Sequence, residues 1–262
     1  MTDAEYRAHP AISRSELWRM KKSPEIFKFL KDHPDEPTDA LLFGQVFHKY
    51  ALEPDTFNDE FTFEPDCDRR TKDGKAIYEL FLSEVGNRTI VPRAMMQQAT
   101  AMAFAVQQNK TAAKLLKGEV EKEFFWTDDE TGEECKCRTD VIRQTKKSLV
   151  IVDLKTCTDA STETFTREAI KYGYDFQAAM YSAGVEKNLG QKPKFVFIAV
   201  EKKPPYAVNI LLADDAFVEH GQKTFRELLD LYHTCKQTDN WYGYNGEAEK
   251  INTLTLPAWL TE

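Results

Sequence analysis

Apolar residues recur with a helical period over the first part of the chain and with a strand-like period after it, and the change falls near Gly118. In the first part, Ser13-Arg14-Ser15-Glu16 fits a capping box, with Ser13 as N-cap and Glu16 reaching back to it. Ser23-Pro24 reads as a second N-cap followed by proline at the first helical position. Two short helices are therefore expected before a loop from His33 to Thr38. From Asp39 to Leu52 the chain is apolar on most sides, which predicts a buried helix ended by Pro54. Asp66 to Lys75 is charged and loop-like, and helical segments are expected over Ala76–Glu84 and Arg93–Leu116.

Beyond Gly118 the pattern predicts strands at Val120–Trp126, Glu134–Arg143 and Leu149–Thr156, joined by turns at Asp128–Glu133 and Gln144–Lys147. A helix over Thr166–Leu189, strands at Phe195–Lys202 and Ala207–Leu212, and an amphipathic helix over Asp215–Lys236 complete the chain. This order predicts an α/β (α+β) plan, a mixed central β-sheet flanked by α-helices. One domain is expected over residues 1–262, with a helical part at 1–117 and a sheet core at 118–262. No apolar run approaches bilayer length. Met1 to His9 lacks a signal-peptide core, so a cytoplasmic protein is expected.

Composition changes this picture little, since 42% hydrophobic and 30% charged residues suit a globular domain. The net charge of −8 opposes a phosphate-binding surface, although local charge decides such matters and much of the acid sits in Asp32–Glu36 and Asp128–Glu134. The densest basic cluster is Arg69, Arg70, Lys72 and Lys75, either a solvated loop or a DNA contact. The five cysteines are too scattered for a disulfide framework, and Cys135-x-Cys137 on one strand face reads as a pair of buried thiols.

Candidate chemistry begins at Asp153-Leu154-Lys155, where a period of two puts the acid and the base on one face at the end of an apolar strand. Such charges are costly there unless they pair or bind something. A strand-end ion pair and an active site are both consistent with that. If the preceding strand forms a hairpin with this one, Asp140 lies beside Asp153, and two adjacent carboxylates suggest a hard divalent cation. Pairing of Asp140 with Arg138, Arg143 or Lys155 is the alternative. His48, four residues after Gly44 on the apolar helix, is a candidate third ligand or a core histidine. The missing side chain at Gly44 would admit another backbone. Gln177 and Tyr181 form a polar stripe on a later helix, which could equally be a partly exposed face.

Together these pieces resemble the RecB-like branch of the PD-(D/E)XK nucleases: Gly44 to His48 then Leu52-Glu53, Arg138-Thr139-Asp140, Asp153-Leu154-Lys155-Thr156, and Gln177 to Tyr181, in that order. Within the branch, the chain is similar to the C-terminal nuclease family of RecE (exonuclease VIII). The stretches carrying that likeness are His9 to Trp18, Ser23-Pro24-Glu25, Leu41 to Gly44, Leu52-Glu53-Pro54, Asp68 to Lys75, and Leu256-Pro257-x-Trp259. A departure is Cys137 before Arg138, in a stretch where the RecB-like pattern usually carries glycine.

The resemblance implies Mg²⁺ or Mn²⁺ held by His48, Asp140, Asp153 and the Leu154 carbonyl. It implies Lys155 orienting or deprotonating the attacking water, with Gln177 and Tyr181 positioning the water, Lys155 or the phosphate. Glu121 is a candidate for a second metal or a supporting position, though Glu119 and Glu123 share its face. The cysteines do not resemble the iron–sulfur set of Cas4 and AddB nucleases, so no cluster is expected. The implied activity is 5′→3′ degradation of linear double-stranded DNA from its ends, leaving 3′ overhangs for a RecT-type annealing protein. The family acts as a ring, tetrameric in RecE, in bacterial or prophage settings, and the Arg69–Lys75 cluster would hold the 5′ phosphate or backbone. A RecB-like endonuclease or repair nuclease, and a catalytically silent DNA-binding member of the fold, are the alternatives. Intact Asp140, Asp153 and Lys155 argue against silence.

Overall fold

Local capping chemistry sets the start of the chain, and a computed structural model describes all residues except 35, 37, 147, 247, 249 and 257–262. Pro257 and Trp259 of the closing motif, Lys147 of the predicted turn, and Asp35 and Pro37 of the predicted loop lie outside the described residues. Helix α1 (Asp3–Ala8) leads to the two-residue strand β1 (Ile12–Ser13), α2 (Arg14–Arg19) and α3 (Pro24–Asp32). The Ser13–Glu16 capping box is closed in both directions, and Ser23 accepts from the Ile26 amide at 3.2 Å. Thr38 caps the apolar helix α4 (Asp39–Leu52) in the same way.

Between α4 and the sheet core lie α5 (Phe57–Glu60), β2 (Phe61–Phe63), α6 (Lys72–Val85), β3 (Thr89–Val91), α7 (Arg93–Gln108) and α8 (Lys110–Leu115). Strands β2 and β3 pair in parallel as a separate small sheet. Both were missed in the sequence because three-residue strands carry too little periodicity. The predicted loop at 66–75 is shorter than expected: the Thr71 hydroxyl accepts from Gly74 N at 3.0 Å and starts α6 at Lys72. The helix expected over Arg93–Leu116 is interrupted at Asn109, whose side chain accepts from the amides of Thr111 and Ala112 and begins α8.

The core sheet contains β4 (Glu119–Thr127), β5 (Glu134–Gln144), β6 (Leu149–Cys157), β7 (Lys194–Glu201) and β8 (Val208–Ala213), together with β1. Strand β5 is antiparallel to β4 and β6, β6 is parallel to β7, and β7 is antiparallel to β8, so the sheet is mixed as expected. The connection from β6 to β7 carries two helices instead of the single one predicted, α9 (Thr162–Tyr172) and α10 (Tyr174–Leu189). Gly173 separates them with φ +68°, the left-handed conformation that ends a helix. Helix α11 (Asp215–Thr238) closes the described fold.

Strand alternation divides the core. Val152 and Leu154 of β6 pack with Val46, Phe47 and Met102 of α4 and α7 on one face. Ile151 and Cys157 pack with Phe165, Ala178 and Phe197 on the other. A third cluster joins Leu17 and Phe27 to Phe176, Met180, Phe225 and Leu229, tying the N-terminal helices to α10 and α11. Cys135 and Cys137 are buried thiols, and burial pushes that of Cys135 up to about 12. Gly44 differs from expectation: nothing lies within 4 Å of a Cβ placed there, so that face of α4 is open.

Close packing of α10 on α11 depends on Gly221, where an added Cβ would sit 2.0 Å from the Asp175 carbonyl oxygen. Gly221→Ala must push the two helices apart, and a loss of about 1–3 kcal/mol is expected by chemical denaturation.

Candidate active site

The site forms where the sheet comes apart. On the edge away from β4, β5 pairs with β6 only from Val141 to Gln144, and with β1 only at Cys135 and Lys136. Asp140 stands in the interval, one step beyond the last β5–β6 pair, Val141–Val152, and therefore level with Asp153. Its Oδ2 accepts from the Leu154 amide at 2.7 Å, replacing the backbone acceptor that β5 no longer supplies. A strand residue directs its N–H and C=O to the same side, so the Leu154 carbonyl also faces this opening. The expected adjacency of Asp140 and Asp153 is thus present.

Asp153 is 1% exposed, and Gln177 Nε2 donates to its Oδ1. Lys155 Nζ lies 2.6 Å from Oδ2, but off the hydrogen-bonding direction, which leaves that buried oxygen without a well-formed hydrogen bond. Burial raises the Asp153 carboxyl above the usual range against the pull of the Lys155 ammonium, and the neighbouring Asp140 raises it further. For Lys155, burial favours loss of the proton, but Asp153 and Asp140 outweigh it and hold the amine charged. That ammonium also sits over the Tyr174 ring, 4.9 Å from its centroid.

His48 reaches the same opening from α4, anchored by the buried Phe47 beside it, and its Nδ1 is 3.5 Å from Asp140 Oδ2. Tyr181, one turn after Gln177, is half-buried against Phe195, and burial holds its hydroxyl well above its ordinary pKa. Asp140, Asp153, Lys155, Gln177 and Tyr181 line one cavity of about 630 Å³.

Glu121 also belongs here. It falls between the pairs Val120–Val141 and Lys122–Thr139, level with Asp140, and its φ of +50° is a strained value for a residue other than glycine. Burial first, and then Asp140, push its carboxyl up to about 7, while Arg138 at 3.2 Å opposes the shift. Glu119 and Glu123, expected on its face, are engaged by Lys122 and the N-terminal amine.

Among the described residues, no three His, Cys, Asp or Glu side chains are already gathered at metal-ligand spacing. The donors still suit a hard cation. A buried Asp153 oxygen whose close partner is the Lys155 ammonium alone, the Asp140 carboxylate, an imidazole and a carbonyl facing the opening are the few-ligand set that Mg²⁺ or Mn²⁺ takes while keeping several waters.

The sequence-predicted basic cluster stands elsewhere. Arg70 pairs with Asp68 at 3.0 Å, Arg69 lies over the Tyr78 ring, and Lys72 and Lys75 are exposed at the start of α6; none lines the cavity. Besides Lys155, positive charge at the cavity comes instead from Arg7, Arg14, Arg19, Lys31, Lys136 and Arg138, brought together from two distant segments. A signal for part of this was present, since Lys136, Arg138 and Asp140 alternate along one strand. The acidic turn that lowered the net charge is neutralised locally: Asp128 pairs with Arg226, Asp129 with Lys187, and Glu133 with His233 and Lys236.

A mixed sheet whose strands part at paired acids, with Asp-x-Lys on the central strand, defines a nuclease-type core of the PD-(D/E)XK class. The chain belongs to the PDDEXK-like family: the model described as "PDDEXK-like domain of unknown function (DUF3799)" matches residues 13–254. No curated protein matches the sequence. Among solved structures, a protein from Eubacterium rectale provisionally assigned as an exonuclease aligns with a TM-score of 0.68 at 16% identity, covering 100% of this chain and 97% of that one. The structure of SSO0001 aligns at a TM-score of 0.33 and 16% identity over 72% of this chain and 86% of that one, and adds nothing to the fold assignment. No described helix is long and apolar enough to cross a membrane.

Because the Glu121 carboxyl is raised in the folded state, its contribution to stability is complete below the ordinary carboxylate pKa and is lost as pH rises through about 7. In metal-free buffer, wild-type stability is expected to fall more steeply from pH 4.5 to pH 7 than that of Glu121→Gln. Denaturant titrations at stepped pH check this; parallel profiles would show that the Glu121 carboxyl is not raised in the folded state.

Proposed function

We propose that the protein is a divalent-metal-dependent exodeoxyribonuclease acting on linear double-stranded DNA. The single observation that carries the reading is the convergence of Asp140, Asp153 and Lys155 on the wall of one cavity, with Gln177 bonded to Asp153. Asp140, Asp153, His48 and the Leu154 carbonyl would hold Mg²⁺ or Mn²⁺, which when bound polarises a phosphoryl oxygen and lowers the pKa of a water. Lys155, kept charged by its two carboxylates, suits orienting the attacking water and neutralising charge that develops on the phosphoryl oxygens. Gln177 holds Asp153 in place, and Tyr181 bounds the same cavity. Glu121 supports Asp140 from β4 or serves a second metal. Water adds to phosphorus as the bond to the 3′ oxygen breaks, that oxygen takes a proton, and a 5′-phosphomononucleotide leaves.

The likeness to the RecE family extends the reading to 5′→3′ travel, a 3′ overhang passed to a RecT-type annealing protein, a tetrameric ring, and no iron–sulfur cluster. The exonuclease assignment of the Eubacterium rectale neighbour agrees with end-directed cleavage. Arg69, Arg70, Lys72 and Lys75 would then meet the DNA backbone away from the cleavage centre.

Linear duplex labelled at either the 5′ or the 3′ end, incubated with Mg²⁺, tests this. Mononucleotides should appear first from 5′ ends and stop with EDTA. Asp153→Ala should lose about a thousandfold in rate, and Gln177→Ala about tenfold or more. Cleavage of closed circular DNA would favour an endonuclease, and undiminished activity of Asp153→Ala would overturn the site. Light scattering should give the mass of a tetramer; a monomer would remove the ring.

A further inference from the structure

We infer that Arg14 is a positioning residue for Asp153, acting through the first turn of α10 and Gln177; this rests on the reading of Asp153 as part of the active site. Arg14 opens α2, far in sequence from the acids, and its Nη2 donates to the Tyr172 carbonyl and, at 2.9 Å, to the Gly173 carbonyl. The Gly173 oxygen also accepts the Gln177 amide at 3.0 Å. One oxygen therefore both begins the α10 ladder and is fixed by the guanidinium.

The junction is held from two sides. Toward α2, the guanidinium lies over the rings of Trp18 (5.4 Å) and Phe176 (6.0 Å), and Trp18 comes within 2.4 Å of where a Cβ on Gly173 would be. Toward α11, Gly221 lets that helix rest on the Asp175 carbonyl, while His220 Nδ1 sits 2.6 Å from Asp175 Oδ2. Two side chains of this turn reach the acid–base pair: Gln177 donates to Asp153, and Tyr174 lies beneath Lys155. Displacing the junction by even a fraction of a hydrogen-bond length releases Asp153 Oδ1, and a site loosened on that scale loses rate. Both carbonyls are served by the one nitrogen Nη2, but the planar guanidinium also stacks on Trp18 and Phe176, which a lysine ammonium cannot reproduce.

A double-mutant cycle on kcat reads the coupling. With linear duplex and Mg²⁺, Arg14→Ala and Gln177→Ala should each lower kcat by about 10–100-fold, with KM for DNA unchanged. The double variant should be no more than about threefold below the worse single one. Arg14→Lys should recover only part of kcat. Independently of activity, hydrogen exchange over 173–181 should quicken in Arg14→Ala. Should Arg14→Ala fail to fold, the cycle is run with Arg14→Lys and Arg14→Gln.

Multiplying effects in the double variant, or unchanged exchange, would overturn the inference. So would a raised KM with a salt-dependence slope reduced by about one. That outcome would mean that the Nε of Arg14, which is buried without a hydrogen-bond partner on the cavity wall, grips a phosphate instead. Full activity in the Arg14 variants beside an inactive Asp153→Ala would end this inference and leave the site standing. An active Asp153→Ala would end the reading of the site itself.

Discussion

The feature on which the site depends is the end of the β5–β6 ladder at Val141–Val152. Had the two strands continued to pair, the Leu154 amide would have met a backbone carbonyl of β5, and Asp140 would have had no cause to turn inward. Because β1 occupies the far end of the same β5 edge, the strands part and the Asp140 carboxylate satisfies the exposed amide. An unsatisfied buried amide costs on the order of 1–3 kcal/mol, so the carboxylate is kept beside Asp153 despite their repulsion. The sheet thereby uses a backbone hydrogen bond to hold two acids together.

The cost of that arrangement is distributed over the neighbours. Lys155 is retained as an ammonium because two carboxylates face it, Gln177 takes one oxygen of Asp153, and Glu121 accepts both a strained backbone and a suppressed ionisation opposite Asp140. The other buried oxygen of Asp153 has the Lys155 ammonium beside it and no well-formed hydrogen bond. Local rules broken in one place, and satisfied around it, are what a functional site produces in an otherwise consistent fold.

Charge has a similar division of labour. The chain is acidic overall, yet the turn carrying Asp128 to Glu133 faces α10 and α11, where Arg226, Lys187, His233 and Lys236 answer it. The cavity wall is supplied instead by arginines and lysines of α1, α2, α3 and β5. Net charge was therefore a poor guide to the surface a polyanion would meet.

The sequence by itself determined the five long strands of the core sheet, several capped helices and the mixed-sheet class, and it singled out Asp140, Asp153, Lys155, Gln177 and His48 as candidates, because each sits in a period or a spacing that a short window of chain can display. Even the adjacency of the two acids follows from a hairpin with a short turn. What it could not display is anything set by segments far apart. Gly173 breaks a pattern that periodicity alone reads as one helix, because Trp18 packs against it; Glu121 is singled out from its neighbouring glutamates by a backbone twist and by the partners those neighbours find. The basic residues at the cavity were hidden for the same reason, while the denser cluster at Arg69 to Lys75 lies away from it. Periodicity and capping are local energies and can be read locally. The partner that satisfies a buried amide, a carbonyl or a charge is chosen only when the whole chain has packed.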